Sequence, residues 1–101
     1  MIKFEQLNED VIKWAYDKGI VANSDAKSQL LKTVSEVGEL ADAVNKDNME
    51  EIIDALGDVL VTLIILAEFE GLDLTLCLKC AYDVISKRTG KMQNGVFVKD
   101  A

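Results

Sequence analysis

The chain has 101 residues, half of them hydrophobic, with 11 basic and 18 acidic side chains and a formal net charge of −7. That length makes one domain, residues 1–101, with the apolar content for a core. Its acidity argues against non-specific binding to a nucleic-acid duplex or an anionic membrane. Histidine is absent, which excludes Ser-His-Asp and Cys-His catalysis and the His-containing zinc and di-iron sites.

The apolar spacing predicts four helices and a short tail, an all-α bundle-like core. Helix one covers Phe4 to Lys18, with Leu7, Val11, Ile12, Trp14 and Ala15 apolar and Gly19 as its stop. Trp14 is expected in the core, with stacking on a base as the alternative. Helix two follows Asn23 and Ser24, either of which can cap it, and runs to about Asn45. Its apolar side carries Leu30, Leu31, Val34, Val37, Leu40, Ala41 and Val44, and should face a core. Lys46, Asp47 and Asn48 form a polar break, and Asp47 or Asn48 can cap helix three, Met49 to Glu70, which stops at Gly71. Asp73 caps helix four, which reaches about Arg88. In the tail, Asn94-Gly95 is a turn signal and Val96-Phe97-Val98 favours extended backbone.

From Val59 onward helix three is apolar nearly all round, with Thr62 the one polar residue before Glu68. A helix of that kind is buried on more than one side, so a homo-oligomer with this half at its interface is expected. The run Val59 to Ala67 is far shorter than the ~20 residues that span a bilayer, and no apolar stretch follows Lys3 to suggest a signal peptide. Cys77 and Cys80 lack the further ligands of a zinc site and the strand-to-helix setting of a redox motif. As unpaired thiols they suit a reducing, cytoplasmic setting.

Two acidic strips stand out. Glu36 and Glu39 lie within about 60° of each other on helix two, and Glu51, Asp54 and Asp58 repeat that rhythm on helix three. Both strips border apolar residues. Acids at helical spacing commonly form a solvated face. Two such strips on consecutive helices joined by a tight break can instead face each other across an antiparallel pair. Crowded carboxylates raise each other's pKa, and a hard cation such as Mg²⁺, with oxygen ligands, relieves that repulsion.

At these residues the chain resembles a known family. QLLKTVSEVGELADAV followed by EEIIDALGDVLVTLIILA is similar to the MazG-like nucleotide pyrophosphohydrolases of the all-α NTP pyrophosphatase superfamily, and RTGKMQNGVFVKD looks like the C-terminal segment of small MazG-like proteins. The resemblance covers roughly Gln29 to Asp100. It implies a helical core that assembles as a homodimer or homotetramer. It also implies Mg²⁺-dependent hydrolysis of a nucleoside triphosphate between the α and β phosphates, giving monophosphate and pyrophosphate, with Mn²⁺ as a possible substitute. Nucleotide-pool house-cleaning is the role this suggests.

Carried over by position, Glu36 and Glu39 match the first pair of metal-binding acids, and one of them faces the attacking water. Asp58 matches the last acid of the second pair. That pair is commonly ExxD, which places a glutamate at position 55, where this chain has Ala55. Asp54 is the expected substitute, with Glu51 in support. Lys32, Lys87, Arg88 and Lys91 are the phosphate-contact candidates, Arg88 because a guanidinium suits phosphate geometry. Metal-activated water needs no histidine. Phosphoribosyl-ATP as substrate, or a non-catalytic helical oligomerisation module, are the alternatives, and Ala55 keeps the second open.

Overall fold

The computed structural model describes residues 1–101. Five helices are followed by a hairpin: α1 (Phe4–Asp17), α2 (Ile20–Asn23), α3 (Ala26–Asn45), α4 (Met49–Phe69), α5 (Leu74–Ile85), β1 (Gly90–Gln93) and β2 (Val96–Lys99). The expected four helices become five because Ile20–Asn23 forms a turn of its own after Gly19, at φ +78°. Asn23 and Ser24 do not cap α3. Asp25 does, accepting from the Ser28 N–H at 2.8 Å. The other caps fall as expected: Asn48 accepts from the Glu51 N–H at 3.2 Å and Asp73 from the Thr75 N–H at 2.8 Å. Helix α5 ends at Ile85, three residues short of Arg88.

Helices α3 and α4 form the most extensive packed pair, and α1 lies on α4. They run antiparallel across the break at 46–48. At one end the buried Gln29 side chain donates to the Thr62 carbonyl at 3.1 Å, and at the other Asp42 and Lys46 stand beside Glu51. Ala43 and Ala55 are buried and let the backbones approach; Ile64, Ile65 and Ala67 are buried farther along α4.

The face α3 turns inward is not the one its apolar residues mark. Gln29, Thr33, Glu36 and Ala43 are buried, whereas Leu30, Leu31, Val34, Val37 and Val44 are exposed. Both sets follow helical spacing, so periodicity alone allowed either. The polar set can face α4 because its groups find partners: Gln29 donates to the Thr62 carbonyl of α4, and Thr33 Oγ1 donates at 3.1 Å to the Gln29 carbonyl of its own helix. A buried polar group is tolerated when it is hydrogen-bonded.

The second half of α4 is largely covered within the single chain. Thr62, Ile64, Ile65 and Ala67 are buried, and Leu60 is the large apolar residue left exposed there. Trp14, expected in the core, is 47% exposed. Cys77 and Cys80 are free and exposed on α5. No helix is long and apolar enough to cross a membrane.

The tail folds as an antiparallel hairpin, pairing Gly90 with Lys99 and Gln93 with Val96. Asn94 and Gly95 have φ +49° and +85°. Two consecutive left-handed residues make the type I′ turn that matches strand twist, which Asn-Gly favours.

Candidate active site between α3 and α4

The two acidic strips meet. A pocket of about 250 Å³ opens between α3 and α4, lined by Glu39, Asp42, Ala43, Lys46, Glu51, Asp54, Ala55 and Asp58. Helix α3 contributes one wall by its three-to-four-residue rhythm and α4 the other. The antiparallel turn at 46–48 sets them in register. Glu36 sits one turn before Glu39 and is the one buried acid of the chain. Its Oε1 accepts from Lys32 Nζ at 3.0 Å, while Oε2 is buried with no partner.

The electrostatics show how close these groups are. Lys32 beside Glu36 holds that carboxyl below its ordinary range, helped by the neighbouring Glu39 carboxyl. The adjacent Glu36 carboxyl, then loss of solvent around the group, push the Glu39 pKa up. Burial, then Asp54 and Glu36, push Asp58 up. Lys32 is held protonated by Glu36, with weaker help from Glu39 and Asp58. Five side chains from two helices, Lys32, Glu36 and Glu39 on α3 and Asp54 and Asp58 on α4, thus form one electrostatic cluster.

This donor set is all oxygen, which suits Mg²⁺ or Mn²⁺. As the side chains stand, no three carboxylates converge closely enough to hold one ion. Glu39, Glu51 and Asp54 are exposed and free to turn toward the pocket. A partnerless buried oxygen on Glu36, and carboxyls at Glu39 and Asp58 whose pKa values are raised by crowding and burial, mark negative charge that a cation would relieve, so the residues fit one.

Of the expected site residues, the structure gathers Glu36, Glu39, Glu51, Asp54, Asp58 and Lys32. It does not bring Lys87, Arg88 or Lys91 to the pocket, whose lining comes from α3 and α4 alone. Ala55 lines the pocket where a glutamate was expected, with Glu51 and Asp54 flanking it. Asp42 and Lys46 also line it and were missed. Lys46 is seven residues after Glu39, nearly in line with it on the helix, which was readable; its place in the polar break obscured it.

Comparison with known proteins identifies the family. Residues 24–94 match the model of the MazG nucleotide pyrophosphohydrolase domain. The chain belongs to the MazG family. The match takes in both acidic walls, α5 and the first strand of the hairpin. A MazG-like pyrophosphohydrolase of cyanophage S-2L, solved with dGDP and three catalytic Mn²⁺ ions per active site, has the same fold at a TM-score of 0.71 and 20% identity, over 100% of both chains. An 18.2 kDa protein of Haemophilus phage HP1 is 34% identical over 76 residues, 75% of this chain and 47% of its own length. A protein of Acanthamoeba polyphaga mimivirus is 49% identical over 39 residues, 39% of this MazG chain and 16% of its own length. The chain spans about half or less of the curated relatives it matches.

Proposed function

We propose that this MazG-family protein hydrolyses a nucleoside triphosphate between the α and β phosphates, with Mg²⁺ or Mn²⁺ held between α3 and α4. The observation that carries the reading is the acidic pocket, together with the buried, partnerless oxygen of Glu36 one turn from Glu39 on the same helix. Glu36, Glu39, Asp54 and Asp58 hold the cation, with Glu51 able to replace or support Asp54. The cation supplies Lewis acidity toward phosphate oxygens. Glu39, more exposed than Glu36, orients water and takes its proton. Lys32 and Lys46 offer positive charge to the phosphates from within the same chain.

The base has a natural seat. Leu7, Val11, Trp14 and Val61 line a mainly apolar groove of about 350 Å³ that also includes Asp10 and Asp58. Asp58 lines this groove and the acidic pocket alike. A nucleotide lying across it would set its base on Trp14 and its phosphates among the carboxylates. The stacking alternative for Trp14 is therefore the one favoured here.

A homodimer or homotetramer is part of the same proposal. The exposed Leu30, Leu31, Val34 and Val37 stripe on α3 and the exposed Leu60 on α4 support it. The cytoplasm, a nucleotide-pool role and Mg²⁺ as the working ion complete the reading.

Incubation with a panel of NTPs, dNTPs and phosphoribosyl-ATP, with Mg²⁺ or Mn²⁺, tests it. Monophosphate and pyrophosphate are expected. Orthophosphate release, or turnover of phosphoribosyl-ATP alone, would change the reaction or the substrate. Metal binding without turnover of any compound would favour the non-catalytic reading that Ala55 keeps open.

A further inference from the structure

The last fifteen residues differ from the rest in charge and in packing. Residues 87–101 hold four basic side chains and one acid, whereas residues 1–86 hold seven and seventeen. Arg88 is the sole arginine. The hairpin is well built: Thr89 Oγ1 donates to Asp100 at 2.8 Å, the Asp100 N–H returns to the Thr89 carbonyl at 2.9 Å, and the Phe97 ring lies over Gly90, where a Cβ would meet it at 2.6 Å. Yet every residue from Leu76 to Ala101 is exposed. Met92, Val96, Phe97 and Val98 lie open, distributed over both faces of the ribbon. Two strands alone are marginal in water, so this arm needs a surface that its own chain does not provide.

The dimensions say the same. A compact protein of 11.1 kDa has about 5,700 Å² of accessible surface, and this chain has 7801 Å². Its radius of gyration is 16.0 Å, against about 12.7 Å for a compact chain of this length. The excess, about 2,000 Å², is larger than the roughly 800 Å² each partner buries in a standard interface.

We infer that the C-terminal arm docks on a second copy of this chain and delivers Arg88, with Lys87 and Lys91, to the acidic pocket of that copy. The open stripe Leu30, Leu31, Val34 and Val37 borders Glu36 and Glu39 on the same helix, so a copy seated on α3 reaches the mouth of the pocket. A cationic arm against a carboxylate-lined pocket gives charge complementarity. With phosphates bound, the arm supplies the guanidinium that the pocket lacks, in the planar geometry phosphate oxygens accept. Each site is then complete only in the oligomer. This inference rests on the reading of the acidic pocket given above.

Two variants test it, each expected to be inactive alone: Glu39→Gln, and a triple variant Lys87→Ala, Arg88→Ala, Lys91→Ala. Co-refolded at equal amounts, they regain about a quarter of wild-type turnover per chain, because one site in four pairs intact carboxylates with an intact arm of the other copy. Wild-type turnover with no recovery in the mixture overturns the inference and leaves the reaction standing. A second measurement needs no turnover. A ¹⁵N-labelled Glu39→Gln, Asp58→Asn chain is co-refolded with excess unlabelled wild type, and Mn²⁺ is added. Broadening of amide signals at 87–91 in the labelled chain supports docking in trans, even if no nucleotide is cleaved. Broadening seen only when the labelled chain keeps its own carboxylates, or not at all, overturns it.

Discussion

Lys32 and Glu36, one turn apart on α3, form an ion pair at 3.0 Å that leaves the second Glu36 oxygen buried without a partner. The lysine is a tethered cation in a place that suits a free one. Lys32→Met removes that competitor. Isothermal calorimetry should then show Mn²⁺ binding several-fold tighter in the absence of nucleotide, with weaker binding of the nucleotide itself. Unchanged Mn²⁺ affinity would mean that Glu36 is not a ligand.

Glu39→Gln keeps the shape of the side chain and removes its charge. Glu39 is exposed and bears no packing load, so the melting temperature should barely move. Turnover should fall by more than the roughly 10–100-fold that follows loss of a group merely supporting a metal ligand. Steady-state kinetics on the best nucleotide of the panel checks this, and full activity would place the water-facing acid elsewhere.

Acid and metal should act against each other on stability. Glu39 and Asp58 keep their protons above the ordinary values of 4.5 and 3.8. The native state binds more protons there than the unfolded chain. The stability from this pair is therefore full below the ordinary values and is lost as pH rises through the raised ones. Glu36, held low by Lys32, has the opposite sign and loses its contribution as pH falls through its lowered value. A divalent cation relieves the ionised pair, so the rise in melting temperature on adding Mn²⁺ should be larger at pH 7 than at pH 4. Equal shifts at both would count against Glu39 and Asp58 as ligands.

Ala55 is buried against α3 yet lines the pocket. Ala55→Glu restores the commoner acidic spacing but crowds a close helix contact. Overpacking of this kind costs about 1–3 kcal/mol, so the metal-free variant should melt lower than the parent. Saturating Mn²⁺ should recover more stability in the variant than in the parent. Thermal denaturation with and without metal reads both effects.

Trp14 is the one tryptophan in the chain. If a base seats on it, nucleotide with Mn²⁺ should quench its fluorescence, whereas Mn²⁺ with pyrophosphate should not. Trp14→Ala should raise KM more than it lowers kcat. Quenching by pyrophosphate alone would move the base away from this groove.

Much of the candidate pocket was legible because its acidic strips are local. Glu36, Glu39, Asp54 and Asp58 lie on regular helices, where spacing alone fixes which side chains share a strip. The break at 46–48 announced the antiparallel turn that brings the strips together. Asp42 and Lys46 escaped although they continue the Glu39 strip along α3, because that strip runs into the polar break. The cap of α3 was misplaced by one or two residues, since Asn23, Ser24 and Asp25 can all cap and only the short α2 turn selects among them.

The sequence by itself determined the four long helices, the Asn94-Gly95 turn and the acidic character of the pocket, because each follows from short-range periodicity, capping and turn chemistry; the short α2 and the pairing of the tail into two strands were not read from it. Tertiary structure decided which face of α3 is inside. Two stripes of equal rhythm compete there, and the polar one turns inward because Gln29 reaches Thr62. That choice leaves the apolar stripe open. The packing of α1 on α4 sets Trp14 beside Asp58, and no basic residue of the arm lines the acidic pocket of its own chain. None of this could be read from spacing, because it depends on contacts between residues far apart in the chain.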